Sequence, residues 1–203
     1  MDFDGGYISY GKVNETLFKA LLIKVSALSL SEWMSDTRRQ TMFKVHKDTQ
    51  SIILKFTNEP YGEWEDAWFE WQDVIEPVMN DVLQSGFGVE SGHYVKVILA
   101  YMPGNSSIAE HKDLSVEWEV SRRIHVPIIT NPDVSFIVDS IKVPMLPGIS
   151  YDIANTRLHS VDNKSDSYRV HLIFDYVDAN LAGKKEWDEE IRKRNALRVT
   201  TSR

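Results

Sequence analysis

The stretch RRIHVPIITNPDVSFIVDSIKVPMLPGISYDI, Arg122 to Ile153, decides the fold. It divides into four short segments, 122–130, 134–139, 141–145 and 149–153, all rich in isoleucine and valine. Asn131-Pro132-Asp133 and Pro147-Gly148 punctuate them with residues that fix or free the backbone at turns. Segments this short and this β-branched read as strands. The same texture continues outward, with segments 94–102 and 108–113 before the quoted stretch and 158–162 and 167–177 after it. Pro103-Gly104-Asn105 and Asn163 to Asp166 supply the further turns. Eight short strands within about 85 residues predict a double-sheet jelly roll, which limits exposed edges by packing two sheets face to face.

Upstream the period changes. Val13, Leu17, Leu21 and Leu28 recur mostly at three- and four-residue intervals, so 13–30 is expected to be a helix with one apolar face. Ser51 to Thr57 reads as a strand. From Glu63 to Leu83 the series Trp64, Trp68, Trp71, Ile75, Val78, Val82 alternates steps of four and three, which lines one side of a helix. Glu65, Asp66, Glu70 and Asp73 occupy its other side, and Pro77 is expected to bend or break it. Aromatic residues at this spacing are read as scaffold. Lys184 to Arg203 predicts a terminal helix packed through Trp187 and Ile191, carrying net +3 against -10 for the rest of the chain. The expected fold class is therefore α+β, mainly β. We expect one domain over 1–203: a helical, substrate-shaping region at 1–92, a jelly-roll core at 93–178 and a C-terminal helix and tail at 179–203.

With 203 residues, 42% hydrophobic and 26% charged, the composition is that of an ordinary globular protein. The net charge of -7 argues against a general affinity for nucleic acid, which needs a dense basic surface. No cysteine is present, so any metal must be held by nitrogen and oxygen. Met1 to Gly11 lacks the pattern of a signal peptide, and no stretch approaches the ~20 apolar residues that span a bilayer. A cytoplasmic protein without a membrane partner is expected.

The chemistry centres on His111 and Asp113, two apart, which a strand would aim at one ion. A third ligand from a distant strand would complete one face of an octahedron and leave the other open, the two-histidine, one-carboxylate pattern of non-haem Fe(II) oxygenases. The tripeptide His-Lys-Asp occurs twice. The copy at His46 lies outside the β-rich run, and the residue ten past its nearest candidate partner, His93, is Pro103. The copy at His111 lies within the strands, with His159 as the distal histidine and Arg169 ten residues beyond it. Iron held by three protein groups would leave two positions for the 2-oxo acid end of 2-oxoglutarate and one for dioxygen. The far carboxylate would need a cation, and the guanidinium of Arg169 fits it with two parallel hydrogen bonds. His171, two further on, is read as a hydrogen-bonded core histidine, and His46 and His93 as structural or exposed.

These residues carry a resemblance. The segments Met102-Pro103-Gly104, His111-Lys112-Asp113, Arg123-Ile124-His125-Val126-Pro127, His159-Ser160-Val161-Asp162-Asn163 and Tyr168-Arg169-Val170-His171-Leu172 through Asp175 resemble, in this order, the aspartyl/asparaginyl β-hydroxylases and the related bacterial proline hydroxylases. That family belongs to the Fe(II)- and 2-oxoglutarate-dependent oxygenases. The resemblance implies a double-stranded β-helix in which His111, Asp113 and His159 bind iron and Arg169 binds the tail of 2-oxoglutarate. It also implies that Arg123 and His125 sit beside the cosubstrate or the substrate carboxylate. The cofactors implied are Fe(II), 2-oxoglutarate and O2, with ascorbate a candidate stimulant. The substrate implied is an aspartyl, asparaginyl or prolyl group, in a free amino acid or a peptide. The animal aspartyl hydroxylases lack the acidic ligand that Asp113 supplies here, so their substrate cannot simply be copied. The rival readings are a cupin-like enzyme using its metal without oxidation and a jelly-roll binding module without chemistry. Both predict no succinate.

Overall fold

The computed structural model describes residues 3–201. Its elements run, in order, β1 Tyr7–Lys12, α1 Glu15–Ser26, α2 Leu30–Trp33, α3 Arg38–Met42, β2 Gln50–Phe56, α4 Trp68–Phe87, β3 His93–Met102, β4 Ser106–His111, α5 Val116–Val120, β5 Arg122–Ile129, β6 Val134–Val138, β7 Ile141–Val143, β8 Ile149–Ile153, β9 His159–Asn163, β10 Arg169–Val177 and α6 Lys184–Thr201. The strands form a six-stranded sheet, ordered β1-β8-β5-β10-β3-β2, and a four-stranded sheet, ordered β4-β9-β6-β7. Every pairing is antiparallel. This is the expected jelly roll with helices on its outer side.

The alternation of side chains along a strand separates scaffold from chemistry. On β10, Val170, Leu172, Phe174 and Tyr176 join the core formed with α1 and α4, which includes Leu21, Trp68, Trp71, Ile75 and Met79. The intervening Arg169, His171, Ile173 and Asp175 point to the other face, between the sheets. β5 repeats the division, with Ile124, Val126 and Ile128 in the helical core and Arg123 and His125 opposite. The tryptophan helix is thus the scaffold its spacing predicts: its fully buried Ile75, Val78, Met79 and Leu83 clamp the sheet from outside. Each such side chain contributes roughly 1.5 to 3 kcal/mol by leaving water.

Several expectations shift. α4 begins at Trp68, and Trp64 precedes it, stacking on Trp68 with ring centroids 3.9 Å apart. Pro77 does not break the helix. Its missing N–H leaves the Asp73 carbonyl without a helical partner on an exposed face, while Ile75, Val78 and Met79 hold the turn to the sheet. The N-terminal region is also less purely helical than expected, because β1 adds an edge strand to the large sheet, held where the Tyr10 hydroxyl donates to Asp152 at 2.8 Å. Between β3 and β4, Gly104 lies so close to the backbone of Ser165 and Asp166 that a Cβ would come within 2.5 Å of it, a reason for glycine at this turn.

Along α6, Trp187 is buried with Val95 and Val177, and Ile191 packs against them, as its sequence predicts. Among the described residues no helix is long and apolar enough to cross a membrane.

Candidate active site

His111 ends β4, and His159 opens β9 directly opposite it in the ladder. Their rings lie 4.2 Å apart between centroids. Asp113 is expected on the same strand, but β4 stops at His111. Two other constraints place its carboxylate: its backbone N–H donates to the Asn155 carbonyl at 3.0 Å, and its side chain accepts from Asn155 Nδ2 at 3.2 Å and from Arg123 Nη1. The result is that one donor atom from each of His111, Asp113 and His159 falls within 4.8 Å of the others.

The imidazoles are oriented by main-chain carbonyls. The carbonyl of Ala109 lies 2.8 Å from His111 Nδ1 and that of Arg157 2.9 Å from His159 Nδ1. A carbonyl only accepts, so each Nδ1 carries the proton and each Nε2 keeps its lone pair for a metal. Burial lowers the pKa of His159, favouring the neutral ring. Burial pushes Asp113 the other way, but the positive charges of Arg123 and Lys96 and the hydrogen bond from Asn155 outweigh it and hold the carboxyl below its usual range. Two imidazoles that can each offer Nε2, and an ionised carboxylate, suit a first-row divalent ion such as Fe(II).

The three groups open onto a cavity of about 450 Å³, within the size range of small-molecule sites. Arg169 lines it and is 3% exposed. Its Nε and Nη2 each lie 2.9 Å from a ring nitrogen of His171, and its guanidinium sits 6.0 Å from the centroid of Phe136. His171 is fully buried beneath it, a core histidine supporting the arginine as expected. A neutral imidazole accepts at one nitrogen alone, so the two-pronged donor of Arg169 is only half satisfied. Among the described residues no carboxylate pairs with it.

Arg123 and His125 also line the cavity. The guanidinium of Arg123 is already engaged: it donates to Asp175 at 2.8 and 2.7 Å and bridges from there to Asp113. It acts on the site first by holding Asp113. His125 is buried edge-on to Phe136 and to His171. Burial, reinforced by Arg169, drives its pKa well below the ordinary value, so it is neutral.

Sequence reasoning missed three groups here. His46 is not a second metal site, but it is not remote either: its ring stands edge-on to His111 at 5.7 Å and touches Arg39. Lys96, buried, lies 4.5 Å from the ring centroid of Trp118 on α5 and 4.0 Å from Asp175. Burial, with the charge of Arg123, pushes its pKa down to about 7. The third is Arg39 itself. Lys96 left a readable trace, a charge at an inward position of the apolar run Tyr94 to Met102. Arg39 and His46 left none, because they reach the cavity from short segments with no periodicity.

Solved structures of the same fold include Fe-bound EctD from S. alaskensis, at TM-score 0.55 and 15% identity over 85% of this chain and 73% of that one. They also include the non-heme alpha ketoglutarate dependent epimerase SnoN, at 0.53 and 15% over 86% and 78%. A Pseudomonas putida prolyl-4-hydroxylase matches at 0.52 and 13% over 86% and 94%. No curated protein matches. The aspartyl/asparaginyl beta-hydroxylase family matches residues 32–179, well over half of the chain. Fold, family and clustered donors define a dioxygenase that uses Fe(II), 2-oxoglutarate and O2. Within that class, the chain belongs to the aspartyl/asparaginyl β-hydroxylase family.

Proposed function

We propose that this enzyme hydroxylates an aspartyl, asparaginyl or prolyl group, with His111, Asp113 and His159 holding the iron and Arg169 gripping the far carboxylate of 2-oxoglutarate. The observation that carries the reading is the convergence of those three donors on the same cavity as a buried guanidinium that no carboxylate among the described residues neutralises. The residues fit the group. Their donors are nitrogen and oxygen, the histidine lone pairs are turned inward, and the three ligands leave other coordination positions for small molecules.

When bound, the metal centre couples oxidation of 2-oxoglutarate by O2, giving succinate and CO2, to conversion of a substrate C–H bond into C–OH. The protein's own part is to orient and to exclude water. Arg169 would fix the cosubstrate by a two-pronged, charge-assisted contact, exchanging its imperfect partner His171 for a carboxylate that satisfies both prongs. Phe136 and Ile108 supply apolar walls, and Phe136 stacks parallel to His159 at 6.4 Å. His125 would offer a neutral donor or acceptor beside the reacting groups, its charge suppressed by burial. The family's name supports an aspartyl or asparaginyl substrate, and the basic cavity wall supports one bearing a carboxylate.

The test is aerobic incubation with Fe(II), ascorbate and 2-oxoglutarate. Succinate release above a heat-treated control is expected even without substrate, and a panel of amino acids and peptides should yield one product heavier by oxygen. A panel with no such product would remove the substrate assignment. Arg169→Ala is expected to weaken 2-oxoglutarate by about 1.5 to 3 kcal/mol, the scale of a hydrogen bond to a charged group, with Fe(II) affinity little changed. Calorimetry under anaerobic conditions reads both, and equal 2-oxoglutarate affinity in the variant would move the anchor elsewhere.

A further inference from the structure

Four cations face the cavity in a chain whose net charge is -7, Arg39, Lys96 and Arg169 buried and Arg123 half-buried. Two buried carboxylates stand against them. Arg123 engages both Asp113 and Asp175, and Lys96 shares Asp175. Among the described residues neither Arg39 nor Arg169 makes an ion pair with a carboxylate, and the charge of Asp113 reaches Arg39 only at a distance. On the proposed function, the distal carboxylate of 2-oxoglutarate occupies Arg169. Arg39 is left over.

Its surroundings are those of a binding group. Arg39 projects from α3, and its Nη1 donates to the hydroxyls of Thr49 at 3.2 Å and Ser51 at 3.4 Å. Its Nη2 lies 3.1 and 3.2 Å from the two ring nitrogens of His46. All of these partners are neutral, and an imidazole can accept at only one of its nitrogens. Burial, and the charge of Arg123, pull the guanidinium down to about 10, so it remains a cation at neutral pH. A cation kept out of water without a counter-ion is costly to the folded state. Such a group is retained where a ligand neutralises it.

Its position suits the substrate. Arg39 touches His46, and His46 stands edge-on to His111, so the guanidinium is one ring removed from a proposed metal ligand. Exposed Lys44 and Lys112 border the same side of the cavity and would draw an anion inward. Arg169 lies on the central strand β10 against Met102 and Phe136, near enough that, after burial, the charge of Arg39 helps lower its pKa, so the two guanidiniums share one cavity and call for separate anions. We propose that Arg39 anchors a carboxylate of the substrate to be hydroxylated. That carboxylate would be the α-carboxylate of a free amino acid or the side chain of an aspartyl residue. This inference rests on the proposed function for its account of Arg169.

The test binds ligands to the anaerobic Fe(II)–2-oxoglutarate protein by calorimetry, comparing wild type, Arg39→Met and Arg39→Lys. The probes are L-aspartate, L-proline, an end-capped aspartyl peptide and end-capped asparaginyl and prolyl peptides, the last two lacking any carboxylate. The expected result is that at least one carboxylate-bearing probe binds, and that its Kd rises at least tenfold in Arg39→Met and rises also in Arg39→Lys, which keeps the charge but loses the fork. The Kd of 2-oxoglutarate should change less than about threefold. Binding by free amino acids alone points to the α-carboxylate, and binding by the aspartyl peptide points to the side chain. Ligand-free Arg39→Met should melt at the same temperature or a few degrees higher, since it removes an uncompensated buried charge. Equal binding in all three proteins, binding only of the carboxylate-free peptides, a tenfold loss of 2-oxoglutarate affinity, or a melting temperature lowered by more than about 5 °C in both variants would each overturn the assignment. Failure of the underlying reading looks different: wild-type protein would then release no succinate.

Discussion

His159→Ala is expected to lower Fe(II) affinity by more than roughly a hundredfold and to cut succinate release to background, because a lost ligand exceeds the 10- to 100-fold effect of a lost supporting contact. The proposed centre has only three protein donors, so removing one leaves a bidentate site. Among the described residues no further histidine or carboxylate joins the cluster. The Nε2 of His111 lies 3.9 Å from Asp113 Oδ1 and is already part of the set, and His46, edge-on to His111 at 5.7 Å, does not belong to the donor cluster. His125 is turned toward His171 and Phe136. The variant should still fold, because the lost ring is replaced in a space already open to the cavity and the β4–β9 ladder uses main-chain groups. Iron binding by calorimetry or by competition with a chelator, set beside circular dichroism, separates the two effects. Retained iron affinity in a folded variant would remove His159 from the proposed ligand set. A milder contrast is available in the same ring: restoring His159 and disturbing the Arg157 carbonyl contact should cost less, since it alters the tautomer and not the ligand.

Much of this arrangement was legible in sequence because it is written in local patterns. The eight short segments from 94 to 177 all become strands, within a few residues, since β-branched runs bounded by proline, glycine and asparagine leave few other conformations. The period-two alternation on β10 distributes Arg169 and His171 to one face and Leu172 and Phe174 to the other, which can be read residue by residue. The pairing of His111 with His159 was approached through spacing and context, and the ladder sets them opposite each other.

What was not legible depends on contacts between distant residues. Asp113 leaves its strand, and Asn155 and Arg123 fix it instead; no local pattern predicts a carboxylate held by groups 42 and 10 residues away. β1 has only six residues and depends on Asp152, 142 positions from Tyr10, for its attachment. α5 is five residues long, too short to show a period, yet it brings Trp118 over Lys96 and Arg123. The second His-Lys-Asp reads from sequence as outside the metal site, with His46 structural or exposed. It is instead a neighbour of the first, because the loop after α3 folds His46 onto His111.

The stability of the site is concentrated in Arg123, and Arg123→Met is expected to destabilise the ligand-free protein by about 3 to 5 kcal/mol, the cost of breaking a buried ion pair from one side. Burial alone would lower the pKa of this guanidinium, but Asp113 and Asp175 raise it above its ordinary value, so the cation is held by both carboxylates together. Asp175 is fully buried on β10, and Lys96 at 4.0 Å is its remaining cation. Removing Arg123 therefore leaves two carboxylates out of water with one distant and partly titrating partner. Chemical denaturation of the metal-free protein measures the loss. Adding Asp175→Asn to Arg123→Met should restore a substantial part of it, because the uncompensated charge goes with the residue, and non-additivity between the two changes is the signature of a shared network. Fe(II) should also rescue the single variant, since a divalent cation beside Asp113 replaces the positive charge that Arg123 supplied, and binding to the native state alone shifts the unfolding equilibrium. If the single variant is as stable as wild type without metal, the bridge contributes nothing. If it is destabilised but neither asparagine nor Fe(II) restores it, the loss lies in packing against Trp118, 5.1 Å from the guanidinium, and not in charge.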